Sequence, residues 1–330
     1  MERIAIKTIE LKKNSLSAGY SMAYKLLLIL RMARPRTWMF AVISYVFAYL
    51  HGGSQISWQL VAGATLFSLL TGATNMINAY TDIEEDRTNN PMRITWIERL
   101  GVKNLINVII ATYSIVLFLS LPFGPIFTSI VIIAIFDSVF YSLPPIRFKR
   151  HPITALIAFS GDVGLPYLAG LAAINELNLT DPWFILLTTF MLAYGTVKNV
   201  PDYLGDQIAG LRTTITAFSD FKKAMKVNTA LLLSPYFLIV FLVGAGILSK
   251  LYLLNMVLMI FPIYWAFRNL RTNNRRELEK FHTYGFVYAV SFFLFNLVLR
   301  FPSLTSMEIV LFVASTIFLT RRLNIDSRRE

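Results

Sequence analysis

Asn78, Asp82 and Asp86 stand four residues apart where a long apolar run ends, and Asp202 and Asp206 repeat the same step further along the chain. At 3.6 residues per turn, positions i, i+4 and i+8 share one stripe of a helix, so the first set forms a single acidic face. Carboxylates crowded in this way repel one another unless a cation sits among them. Oxygen donors with no clustered His and no Cys select a hard ion, and Mg²⁺ fits best. It uses one or two carboxylates, keeps several waters and takes the rest of its shell from substrate phosphates. Basic residues accompany both groups: Arg87 and Arg93 beside the first, Lys198 and Arg212 beside the second. Between them, "YSLPPIRFKR" supplies Tyr141, Arg147, Lys149 and Arg150. Metal-binding carboxylates ringed by Arg and Lys are what a diphosphate requires. The plainer alternative is a polar helix end with solvated ion pairs. Two clusters of like spacing on one membrane face favour a site.

The elements that must position these residues are membrane helices. The chain has 330 residues, of which 55% are hydrophobic and 15% charged, well below the quarter usual in soluble proteins. Ten apolar runs approach bilayer-spanning length: Leu26–Leu50, Trp58–Tyr80, Leu105–Leu121, Ile126–Tyr141, Ile153–Ala173, Trp183–Val197, Thr229–Leu248, Tyr252–Phe267, Tyr284–Leu299 and Thr305–Thr320. Arg31, Arg34, Pro35 and Arg36 interrupt the first, and its arginines are expected to snorkel to the surface. With alternate loops assigned to alternate sides, all of the 31 lysines and arginines except Lys250 and Arg300 fall on one side. The positive-inside rule makes that side cytoplasmic, with both termini on it. It also accounts for the formal charge of +12 without nucleic acid as a partner. Cysteine is absent, which excludes disulfides and thiolate chemistry. No removable signal peptide is seen. The expected architecture is an all-α polytopic transmembrane bundle of nine or ten spans around a central cavity open to the cytoplasmic face. Residues 1–24 form a basic cytoplasmic or interfacial tail, and residues 25–330 a single domain in the cell membrane.

Three motifs resemble those of the UbiA superfamily of intramembrane prenyltransferases. Asn78-x-x-x-Asp82-x-x-x-Asp86 followed by Asn90-Pro91-Met92-Arg93 is similar to its first motif. "YSLPPIRFKR" is similar to its Tyr-Ser-x-x-Pro-x-Arg-x-Lys loop, and "KNVPDYLGDQIAGLRT" to its second acidic motif. "RPRTW" also fits the family's Arg-Pro segment near the first span. Two departures stand out: Asn199 replaces a common Asp, and Asn90-Pro91 replaces the more usual Asp-Arg-Pro. The resemblance implies Mg²⁺-dependent transfer of a prenyl group from an allylic diphosphate to a lipophilic acceptor in the membrane. It implies that Asp82 and Asp86, helped by Asn78, hold one Mg²⁺, and that Asp202 and Asp206 hold another. Arg93, Arg147, Lys149 and Lys198 are then expected to contact the phosphates, with Tyr141 and Tyr194 shielding the allylic cation.

Asp137 and Asp162 fall inside spans, where carboxylates are expensive and often functional. Either orients or deprotonates the acceptor, or serves as a protonated structural hydrogen-bonder. Asn296 reads as helix–helix glue, and His151 and His282 as ordinary interfacial residues. An ion-coupled transporter is the competing class, but it needs its charges at midplane on broken helices. A scaffold with a basic face for anionic lipid accounts for the charge but not for the paired carboxylates.

Overall fold

Helix starts follow local chemistry. Pro35, Pro91, Pro125, Pro152 and Pro182 each open a helix, at the position where a missing N–H costs nothing. Ser21, Ser57, Asp220, Asn274 and Ser303 cap others by accepting from a first-turn N–H, and Asp181 caps the helix that Pro182 opens. The computed structural model describes residues 20–52, 56–208, 210, 212–269, 274–323 and 325. Most of the expected tail lies outside them. The helices are α1 (Met22–Ala33), α2 (Pro35–His51), α3 (Trp58–Thr81), α4 (Ile83–Asn89), α5 (Pro91–Leu100), α6 (Val102–Ser120) and α7 (Pro125–Ser142). They continue with α8 (Pro152–Ala173), α9 (Pro182–Asn199), α10 (Tyr203–Ile208), α11 (Phe221–Gly244), α12 (Ile260–Asn269), α13 (Arg275–Arg300) and α14 (Leu304–Arg322). No strand occurs among the described residues.

Among the described residues, eight segments are long and apolar enough to cross a membrane. Two of the ten expected runs fall outside that set. The run Leu26–Leu50 is not one helix: it breaks at Arg34, which adopts a left-handed conformation (φ 54°) just before Pro35. Proline supplies no N–H to continue α1 and excludes its predecessor from the helical region. Two of the arginines there, Arg34 and Arg36, line a central cavity. The run Trp183–Val197 becomes α9, which ends in Lys198 and Asn199 and buries most of its apolar residues. Most of its hydrophobic side chains meet protein, while Ile185 is exposed. The run Tyr252–Phe267 begins as a tight 3₁₀ stretch, Lys250–Met259, before α12.

Helix α2 is the hub. Met39 to Tyr49 are all buried, and the helix packs against α8 and α3. Contact with α8 depends on Gly170, where a Cβ would stand 2.6 Å from the Tyr45 carbonyl oxygen. Small residues of this kind let membrane helices approach closely. Away from the acidic motifs, Tyr167 Oη donates to Asp181 at 2.8 Å, and His51 Nε2 lies 3.3 Å from the same carboxylate. Burial pushes the Asp181 carboxyl up, but the bonds from His51, Tyr167 and the Phe184 N–H outweigh it and hold the group below the ordinary carboxylate range.

Asn296 is helix–helix glue, as its intramembrane amide suggests. Its amide and that of Asn255 exchange two hydrogen bonds, at 3.0 and 2.9 Å, and both residues are fully buried. Replacing either alone with Leu orphans the other amide and is expected to cost about 1–3 kcal/mol of stability. The double replacement should cost less than the two singles added, with a coupling of about 0.6–1.7 kcal/mol. Thermal or denaturant unfolding of the four variants in one detergent checks this, and strictly additive losses would disprove the pairing.

Candidate active site

The stripe Asn78, Asp82, Asp86 survives a helix joint. Helix α3 ends at Thr81, yet the i→i−4 hydrogen bonds Asp82 N–H to Asn78, Asp86 N–H to Asp82 and Asn90 N–H to Asp86 run through at 3.0, 2.7 and 2.8 Å. All four residues therefore line the same wall of one cavity of about 200 Å³. The facing wall comes from the end of α9 and from α10. Pro201 interrupts the helix there, and the Asp206 N–H bonds the Asp202 carbonyl at 2.8 Å, so Asp202 and Asp206 line the cavity together. Asp86 and Asp206 are both buried, which brings two carboxylates distant in sequence to the same enclosed space.

Each acidic residue of the first wall has a defined neighbour. Arg93 donates to Asp86 at 2.6 Å, with both side chains buried. Lys149 pairs with Asp82, which also accepts from Thr81, and Ser142 donates to Asn78. Lys198 donates to Tyr141 Oη at 2.8 Å and lies 4.7 and 4.9 Å above the rings of Tyr141 and Phe159. Asn199, the departure in the second motif, donates to Thr214 at 3.1 Å. Tyr194 lies against Phe40 and Phe159 in the lining. Asn78, Asp82, Asp86, Arg93, Tyr141, Lys149, Tyr194, Lys198, Asp202 and Asp206 thus meet around one space. Arg147 does not line it, although it belongs to the same motif. It has a left-handed backbone (φ 47°) in the loop between α7 and α8. Arg87 and Arg212, exposed, are not in the lining either.

Sequence reasoning did not assign Arg34, Arg36 and Asn75 to the site. Asn75 donates to the Ala33 carbonyl at 3.1 Å, to Thr37 at 2.9 Å and to the Thr71 carbonyl at 3.0 Å. That anchors the α1–α2 break to α3 and sets both arginines at the cavity. The signal was present as an Asn one turn before Asn78. His282, Asp137 and Asp162 also line the cavity.

The donor set suits a hard divalent ion. Every candidate ligand is an oxygen, and the ligands divide between two walls. Among the described residues no three carboxylates or imidazoles close into a ready-made cluster. An ion that takes one or two carboxylates and completes its shell with water and phosphate fits this arrangement; a fully protein-caged ion does not.

The family model for the UbiA prenyltransferase family matches residues 37–320. The chain belongs to that family. With eight apolar helices of crossing length among the described residues, it is a multi-pass membrane protein. A 2-acylphloroglucinol 4-prenyltransferase from Humulus lupulus is 31% identical over 68% of this chain and 58% of its own length. The chain spans little more than half the length of this relative and of a second Humulus 2-acylphloroglucinol 4-prenyltransferase. A digeranylgeranylglyceryl phosphate synthase from Methanothrix thermoacetophila is 30% identical over 59% of this chain and 76% of its own length. A UbiA homologue from Archaeoglobus fulgidus, solved bound to GPP and Mg²⁺, shares the fold with a TM-score of 0.61 at 20% identity, covering 79% of this chain and 98% of the homologue.

Proposed function

We propose that this protein transfers a prenyl group from an allylic prenyl diphosphate to a lipophilic acceptor within the cell membrane and releases diphosphate on the cytoplasmic side, where both termini lie. The observation that carries this is the convergence of five oxygen donors and the cations Arg93, Lys149 and Lys198, drawn from remote segments, around a single cavity. The neighbours named above support it: family members act on acylphloroglucinol or make digeranylgeranylglyceryl phosphate, and one holds GPP with Mg²⁺.

Asp82 and Asp86 with Asn78 on one wall, and Asp202 and Asp206 on the other, are the residues to hold Mg²⁺, which would neutralise the diphosphate and stabilise it as a leaving group. Arg93 and Lys149 fix the orientation of Asp86 and Asp82 and present charge to the phosphates. Lys198 approaches from the opposite wall, its ammonium set over two aromatic faces. Arg147, outside the lining, is given no direct phosphate contact. Below the charged rim, Tyr194, Phe40 and Phe159 exclude water and turn ring faces toward developing positive charge on the allyl group.

The test is transfer by purified protein in nanodiscs supplied with prenyl diphosphates of several lengths, Mg²⁺ and an acceptor pool holding phenols and glycerol-phosphate lipids. Diphosphate release with a prenylated product, both lost on adding EDTA, is expected. Absence of both across all donors would overturn the assignment and return an ion-coupled carrier to first place.

A further inference from the structure

A second cavity, of about 340 Å³, opens between α7, α8 and α9. Its rim includes Ile133 and Ile157, both exposed on the apolar outer surface. Two glycines of α8 leave room for it: a Cβ at Gly161 would stand 2.7 Å from Asp137 Oδ2, and one at Gly164 would stand 3.1 Å from Thr188 Oγ1. Asp137 and Ala158 line both this groove and the central cavity, so the two spaces adjoin at one carboxylate. Among the described residues no hydrogen bond or ion pair anchors Asp137, and the Thr188 hydroxyl oxygen is buried without a partner. Among the described residues no Lys, Arg or His lines the groove.

We propose that this groove seats the acceptor of the prenyl transfer, that the acceptor is an uncharged lipophile bearing a phenolic hydroxyl, and that Asp137 receives its hydroxyl and takes the proton displaced in the reaction. The inference rests on the prenyl-transfer reading above. Apolar walls suit a hydrophobic ring or chain arriving from lipid. A carboxylate at the inner end accepts a hydrogen bond from a hydroxyl, and Thr188 satisfies a second oxygen. An anionic acceptor such as a glycerol phosphate would face Asp137 with no cation to offset the repulsion. In the step itself, the allylic C–O bond breaks and its electron pair leaves with the diphosphate. The acceptor's ring carbon or hydroxyl oxygen bonds the allylic carbon, and the proton it loses goes to the Asp137 carboxylate. Asp162 is the poorer candidate for this part, because it lines the central cavity but not the groove.

The probe is 4-hydroxybenzophenone, a neutral photoreactive phenol, irradiated with nanodisc-embedded protein holding geranyl diphosphate and Mg²⁺. Crosslinks are expected on α7 and α8 peptides around Ile133 and Ile157, at least fivefold weaker in both Asp137→Asn and Ile133→Trp. Geranyl diphosphate affinity, the folding control, should stay within twofold in both. Geranylation of the same phenol should fall by about 10²-fold or more in Asp137→Asn, the size expected for removing a general base, and Asp137→Glu should restore part of it. Crosslinks that map elsewhere, that ignore both substitutions, or that a glycerol-phosphate lipid displaces as readily as a neutral phenol overturn the inference. Wild-type protein that binds no geranyl diphosphate would instead overturn the prenyl-transfer reading itself.

Discussion

Asp82→Asn is expected to lower the rate of prenyl transfer by roughly 10²–10³-fold, the range seen when one preorganised electrostatic group is removed from an active site. The substitution keeps the shape of the side chain and leaves an oxygen that still accepts from Lys149 and Thr81. It removes the negative charge that the wall offers to a metal–diphosphate complex. Stability should change little, because the amide keeps the oxygen that accepts from Lys149 and Thr81. A large fall in turnover with unchanged thermal unfolding therefore separates chemistry from folding. Raising Mg²⁺ should recover part of the lost rate, since weakened metal binding is offset by mass action. Transfer within threefold of the wild type at low Mg²⁺ would remove Asp82 from the metal-binding wall.

Much of this site was legible because its signals are periodic. The four-residue step of Asn78, Asp82 and Asp86 survives the α3–α4 joint, since the backbone hydrogen bonds continue across it. Charge partition among the loops grouped the acidic motifs correctly for the same reason: it depends on span order and tolerates imprecise span ends. What could not be read depends on tertiary contacts. The sequence around Arg34 and Pro35 announces an interruption but not its direction. Three hydrogen bonds from Asn75 tie that break to α3, and Arg34 and Arg36 line the cavity. Arg147 shows the reverse case: its motif suggests a phosphate contact, while its place in the loop between α7 and α8 leaves it outside the lining of the central cavity. The groove beside Asp137 was equally hidden, because a space between helices is defined by what Gly161 and Gly164 lack.

Lys198→Met should lower kcat/KM for the prenyl diphosphate by about 10²-fold, and comparison with Tyr141→Phe shows why the charge is decisive. In the wild type the ammonium is held by the Tyr141 hydroxyl at 2.8 Å and by the faces of Tyr141 and Phe159. Tyr141→Phe deletes the hydroxyl but keeps both rings, so the cation–π contacts persist and the loss should stay near tenfold. Lys198→Met keeps the length of the side chain and deletes the cation, leaving the wall that carries Asp202 and Asp206 without its lysine. The partition between kcat and KM then reports when the charge acts. If Lys198 held the bound diphosphate and the departing one equally, only KM would rise. A fall in kcat is expected, because negative charge accumulates on the leaving oxygen as the allylic bond breaks. Unchanged kcat with raised KM would demote Lys198 to a binding group, and unchanged kcat/KM would remove it from the reaction.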